Sequence, residues 1–122
     1  MKRVLFALVL SFALATPAFA ETAVLRGLDK VTGHARDFQA AIGRPVRFGT
    51  LEVIARACSK HAPEETPEVS VYLEVYDHPV TAQGQESPQR VPIFHGWMFA
   101  SSPGLNAIEH PSYDIWPIDC TN

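Results

Sequence analysis

Cysteine is scarce in this chain: its 122 residues include two, Cys58 and Cys120. Two sulfurs permit one intramolecular bridge and exclude a disulfide-dense scaffold. They lie far apart, with no CxxC or HxxxH spacing to make a zinc pair of them. Long apolar runs are missing beyond the N-terminus, so no membrane-spanning segment is expected there. Excess positive charge is missing as well. Lys and Arg number 10 against 13 Asp and Glu, a balance that opposes docking on nucleic acid or anionic lipid. The chain also lacks an internal repeat and the G-x-S-x-G elbow of serine hydrolases.

What the N-terminus does hold is the pattern of an export signal. Lys2 and Arg3 form a basic start, Val4 to Ala15 is apolar except for Ser11, and Ala18-Phe19-Ala20 supplies a small-x-small cleavage site. The apolar stretch falls short of the roughly 20 residues of a spanning helix, which argues against a retained anchor. No Cys sits near the cleavage site to make a lipoprotein. Cleavage is therefore expected after Ala20, leaving residues 21–122 as a single periplasmic domain. Loss of Lys2 and Arg3 takes the net charge from −3 to about −5. In that oxidising compartment a Cys58–Cys120 bridge is the default, and two separate buried thiols are the alternative.

The mature chain reads as strands and turns. Extended runs are expected over Leu25–Val31 and Arg36–Ile42, the latter with Phe38 and Ala40 on one side, and around Val46 and Phe48. Leu51, Val53, Ala55 and Ala57 alternate with Glu52, Ile54, Arg56 and Cys58. A helix over 50–59 competes there because Ala and Glu favour it, but the β-branched content and flanking Gly49 and Pro63 favour a strand. Glu68–Asp77 is the clearest strand, with Val69, Val71, Leu73 and Val75 on one face. Val91–Ala100 is apolar on both faces, as a buried central strand or hairpin partner would be. In Tyr113–Cys120, Ile115 and Pro117 alternate with Trp116, Ile118 and Cys120. Six or seven short strands without an amphipathic helix predict an all-β fold, a compact antiparallel sandwich or small barrel. The bridge would tie a middle strand to the last one.

Chemistry is thinly represented. Of the five histidines, His34, His61 and His78 fall in polar loops. His95 and His110 flank the aromatic strand, and Glu109, His110 and Asp114 would have to converge with His95 to hold a metal. No metal or other cofactor is expected. A hydrolase assembled from Ser102, His110, Glu109 and Asp114 is a weak alternative, because Pro103 holds Ser102 extended. Recognition suits the sequence better. Trp97, Phe99, Tyr113 and Trp116 surround the 101–111 segment, with Asn106, Glu109 and His110 between them. Rings beside polar groups suit a partner protein or a sugar face, although a core uses aromatics too. Arg56, if buried, would need a carboxylate such as Asp114 or Asp119.

The string from Gly96 through Ala100-Ser101-Ser102-Pro103-Gly104-Leu105-Asn106 to His110-Pro111 carries a resemblance, together with Tyr113-Asp114 and Asp119-Cys120. Leu28-Asp29-Lys30-Val31-Thr32-Gly33, Phe48-Gly49-Thr50-Leu51-Glu52 and Arg56-Ala57-Cys58 extend it upstream. The chain resembles the domain of unknown function 2155 family, small exported proteins typical of alphaproteobacteria. The resemblance implies a periplasmic location, a paired Cys58 and Cys120, and no established activity. Members are often encoded near an accessory subunit of respiratory complex I, which implies an envelope partner. The expectation is a non-enzymatic periplasmic domain that recognises an envelope protein or component through residues 96–116. Binding of cell-wall glycan is the alternative. Oligomeric state is left open.

Overall fold

The computed structural model describes Ser11 and residues 21–122. The expected export signal, apart from Ser11, lies outside the described residues. Seven strands follow in order: β1 (Thr22–Asp29), β2 (Ala35–Ala41), β3 (Val46–Phe48), β4 (Leu51–Lys60), β5 (Val69–Asp77), β6 (Val91–Phe99) and β7 (Tyr113–Thr121). They form two antiparallel sheets, ordered β2-β1-β7 and β3-β4-β5-β6. The expected all-β sandwich is the observed architecture. No helix occurs among the described residues, and the stretch that competed for one is β4.

Local chemistry explains the corners. Gly49 and Thr50 alone connect Phe48 to Leu51, and Gly49 has a φ of 57°. A two-residue hairpin loop with glycine first is the II′ preference, since only glycine takes that φ without strain. Between the sheets, Leu25, Phe38, Leu51, Val53, Val71, Leu73, Val75, Met98 and Ile115 form one buried cluster. β5 alternates strictly, with Val69, Val71, Leu73 and Val75 buried as the sequence predicts.

β4 and β7 do not alternate strictly. On β4 the pairing passes from Ala55 opposite Leu73 to Ala57 opposite Tyr72, which leaves Arg56 as an extra residue. On β7 it passes from Pro117 opposite Leu25 to Asp119 opposite Val24, which leaves Ile118 extra. A one-residue insertion of this kind exchanges the two faces of every residue after it. Cys58 thus lies opposite the buried Val71, and Cys120 opposite the buried Ala23. Strict period-two reading puts Cys58 with Glu52 and Cys120 with Trp116, away from the core. The bulges correct that, each two residues before its cysteine. The two sulfurs meet between the sheets as a Cys58–Cys120 disulfide, Cα–Cα 5.9 Å, within the normal range.

The structure also decides two alternatives that the sequence leaves open. β6 is the hairpin partner of β5 and not a central strand: it is the outer strand of the four-stranded sheet, and Met98 is its one buried residue. Its apolar residues reflect a half-covered edge. Arg56 is not buried but projects from its bulge and pairs with Glu74 at 3.1 Å, while Asp119 is taken by Lys60 at 2.7 Å.

A second clip joins the sheets beyond the disulfide. The Thr50 hydroxyl donates to Asp77 Oδ1 at 2.6 Å, and His110 Nε2–H donates to Asp77 Oδ2 at 3.0 Å. His110 Nδ1 accepts the backbone N–H groups of Ser112 and Tyr113 at 3.0 and 3.2 Å. Because Nδ1 accepts, the neutral ring carries its proton on Nε2, a tautomer assigned from the network. Asp77 ends β5 and His110 leads into β7, so this chain ties the four-stranded sheet to the three-stranded one.

Two outcomes follow for stability. Cys58 and Cys120 close a loop with a sequence separation of 62, worth roughly 4 kcal/mol in the chain-entropy picture. Urea titration with and without reductant should show a loss of that order, and C58S/C120S should behave as the reduced protein does. Intact-mass alkylation that finds two free thiols before reduction would contradict the bridge. The second outcome concerns acid. Arg26 beside Asp37, Ser101 hydrogen-bonding to Glu68, Arg56 beside Glu74 and Lys60 beside Asp119 each hold a carboxyl below its ordinary value. Near pH 4 the unfolded chain then binds more protons than the folded one, so stability rises with pH there. The urea midpoint should fall as pH drops below about 4, the ordinary carboxylate range, and D37N/D119N should flatten that limb.

Candidate functional site

The residues that the sequence assembles into one surface divide into three places. Trp97 and Phe99 lie two apart on β6 and point away from the core, opposite Tyr72 and Ser70 of β5. Ser70 in turn lies opposite Ser59 of β4. The Trp97 ring meets the Tyr72 ring edge to face, centroids 5.6 Å apart. Two small serines beside two large rings leave a shallow recess of about 340 Å³, lined by Ser59, Ser70, Trp97 and Phe99. Trp97 is 41% exposed, unusual for a side chain of that size.

The second place is the segment between β6 and β7. Asn106 Nδ2–H donates to the Trp97 backbone carbonyl at 2.7 Å, so the segment is fastened to the edge of β6. Ile108 enters the core, while Leu105 and Glu109 face solvent. Ser101 hydrogen-bonds to Glu68 through both its backbone N–H and its hydroxyl. Trp116 belongs to the other sheet, opposite Arg26, and lines a recess with Pro103, Gly104, Ala107 and Asp114. Its ring is half-buried against the segment and apart from the Trp97 face.

Tyr113 and His110 mark the third place. Their rings stack with centroids 5.3 Å apart, and Tyr113 meets Phe48 edge-on at 5.8 Å. Tyr113 lines a cleft of about 290 Å³ with Asp29, Thr32, His34, Ala35, Arg36, Phe48 and Gly49. Sequence reasoning missed this cleft. The available signal was parity: Arg36 precedes Phe38 and Ala40 by two and four residues, so it sits on the core-facing side of β2. It stands at the open end, where its guanidinium covers the rings of Phe48 and Phe38 at 4.7 and 5.5 Å. Two glycines allow the close packing beneath. A Cβ on Gly27 would collide with the Phe48 ring, and one on Gly49 with the Tyr113 ring.

The histidines divide in the same way. His95 faces out from β6 opposite Glu74, and His110 is committed to Asp77, so these two do not form one site. Among the described residues no group of three or more His, Cys, Asp or Glu side chains is arranged to hold a metal ion. Nor does any hydrogen bond among them join Ser102, Glu109, His110 and Asp114 to one another. His61 and His78 each direct Nδ1 at a loop carbonyl, that of Thr66 and that of Ser87 respectively.

Comparison with known proteins places these features in a family without assigned chemistry. An uncharacterized protein, RP359, of Rickettsia prowazekii (strain Madrid E) is 26% identical over 93 residues, which is 76% of this chain. The match spans 56% of that relative's length, so the relative is the longer protein. No solved structure matches the chain. Among the described residues no helix is long and apolar enough to cross a membrane. The family described as an uncharacterized protein conserved in bacteria, DUF2155, matches residues 23–120, which take in both cysteines and all seven strands but for the first residue of β1 and the last of β7, and the chain belongs to it.

Proposed function

We propose that the protein is an exported, non-catalytic recognition domain that binds a periplasmic protein through the outward face of its four-stranded sheet. One observation carries this reading: Trp97 and Phe99 stand side by side on an outward face, next to the serine-floored recess. Aromatic rings of this kind bury a large area at little rotamer cost and dominate many interfaces. The segment that the sequence singles out, 96–116, contributes Trp97 and Phe99 to this face, and Asn106 holds the adjoining edge of β6. Trp116 packs instead on the other sheet, and Tyr113 and His110 stand at the cleft.

Two further observations support the location and the lack of catalysis. A disulfide between core-facing cysteines suits an oxidising compartment. Both ring nitrogens of His110 are occupied by Asp77 and by two backbone N–H groups, which leaves no free nitrogen to serve as a general base. A second reading, glycan binding, draws on the hydroxyls of Ser59 and Ser70 beside the Trp97 ring, because sugars combine apolar faces with hydroxyl edges.

The mature protein recovered from the periplasm should begin at Glu21, as an intact mass will show; a mass retaining residues 1–20 would contradict cleavage. Affinity capture with the mature protein should recover a periplasmic protein, and W97A should weaken its binding about 30-fold, the loss expected of a central aromatic anchor. W116A serves as the folded comparison and should keep the partner. Equal recovery by W97A and wild type would remove this face as the recognition surface. Tryptophan fluorescence during titration with soluble cell-wall fragments separates the readings, since a saturating change there favours glycan.

A further inference from the structure

The cleft at the other end of the sandwich has features that the recognition face does not explain. Arg26, Arg47, Arg56 and Arg90 are each paired with a carboxylate, namely Asp37, Glu86, Glu74 and Glu52. Arg36 and Arg44 have no such partner among the described residues, and of the two it is Arg36 that occupies a core-facing strand position, on β2. Its guanidinium carbon lies over the rings of Phe48 and Phe38, and its N–H groups make no hydrogen bond among the described residues. Those donors border the cleft. The other polar side chains lining it can each donate as well as accept: the hydroxyls of Thr32 and Tyr113 and the ring of His34, with Thr32 Oγ1 already accepting the His34 backbone N–H at 3.3 Å.

Asp29 is the one carboxylate in the lining, and one of its two oxygens is already in use. Its Oδ1 accepts the backbone N–H groups of Val31 and Thr32 at 2.9 and 3.2 Å, which shapes the β1–β2 turn. The cleft therefore presents a guanidinium resting on two rings, a wall of Phe48 and Tyr113 ring, and side-chain groups able to donate beside them.

We propose that this cleft binds a carboxylate, with Arg36 as its anchor. The fork geometry matches the two oxygens of a carboxylate, and pre-stacking on the rings reduces the freedom lost when they meet. A single acid group is favoured over a phosphate because Asp29 offsets part of the local positive charge. A volume of about 290 Å³ stands at the small end for ligand clefts, enough for a small organic acid or the free end of a peptide. The ring wall favours a ligand with a flat apolar body next to its carboxylate. A rival explanation is that Arg36 only blunts the exposed edge of β2, a common use of an inward-pointing charge on an outer strand.

Nuclear magnetic resonance titration of the mature protein distinguishes these. The probes are benzoate, an N-acetylated Ala-Phe dipeptide with a free C-terminus, the same dipeptide as its amide, and inorganic phosphate. Saturable shifts of the Gly49 and Tyr113 amides and the Arg36 Nε–H are expected with benzoate or the free-acid dipeptide and not with the amide. Response to benzoate alone marks a free small acid as the ligand; response to the dipeptide marks a chain terminus. Arg36→Gln should weaken binding at least about tenfold, the loss of one charge-assisted pair, and Arg36→Lys should fall between because it keeps charge without the fork. Well-dispersed spectra with Met98 and Val71 signals unmoved will establish that both variants fold. The proposal is overturned if neither carboxylate saturates, if phosphate binds more tightly than both, or if folded R36Q binds as wild type does. It is equally overturned if R36Q changes only the sedimentation of the protein, the result edge protection predicts.

Discussion

Two sheets that share no strand can slide or splay, and in this domain a covalent bond between Cys58 on β4 and Cys120 on β7 prevents both. The bond depends on backbone irregularity. If β4 and β7 were regular, each cysteine would point to solvent on the outer side of its own sheet, and the sulfurs would be separated by two layers of backbone. One extra residue on each strand, Arg56 and Ile118, turns them inward. The bulges are thus part of the disulfide's construction, and their shared spacing from the cysteines gives the two halves of the joint one design. Lys60 and Asp119 meet beside it at 2.7 Å and link the same two strands.

The opposite end is joined without a covalent bond. β5 runs from Val69 near the disulfide to Asp77 at the far end, about 26 Å by strand rise. There the Asp77 carboxylate takes the Thr50 hydroxyl and the His110 ring, and His110 in turn holds the start of β7 through two backbone N–H groups. Both groups are mostly shielded, with side chains 17% and 10% exposed, so the hydrogen bonds act in a medium less polarisable than water. A largely shielded carboxylate and imidazole left half-satisfied would weaken the structure. Fully partnered, they fix where Tyr113 and the Phe48 ring stand.

Much of this fold was legible because hydrophobic alternation is a direct consequence of a half-buried strand. β5 could be read residue by residue, and the all-β class followed from short strands separated by Gly, Pro and polar turns. The faces of β4 and β7 beyond their bulges were not legible, since an inserted residue leaves no mark in composition; Arg56 and Ile118 look like ordinary members of their strands. β6 was left open for another reason. A strand apolar on both faces can be central, or it can be an edge whose outer face carries exposed rings and whose rim is met by a neighbouring segment. Here Asn106 caps the Trp97 carbonyl and Ile108 enters the core, so the covering lies in a stretch with no periodicity at all. The aromatic cluster was visible as residues close in sequence, but a β-connection distributes such residues over two sheets, and only Trp97 and Phe99 share a face.

The separation of these places has a physical consequence. Trp97 lies opposite Tyr72, near the disulfide end of β5, whereas Gly49 and Tyr113 adjoin the Asp77 end. The strand between them, Val71 to Val75, is fully buried on its inner side and bonded to β4 and β6 along its length. Interiors packed to this degree change between discrete packings and do not deform by degrees. Two surfaces held at the ends of such a strand are best understood as independent, each pre-formed by its own clip. An engaged partner at one end gains no contact with the other, and coupling between them would require the Asp77 hydrogen-bond chain or the disulfide itself to change state.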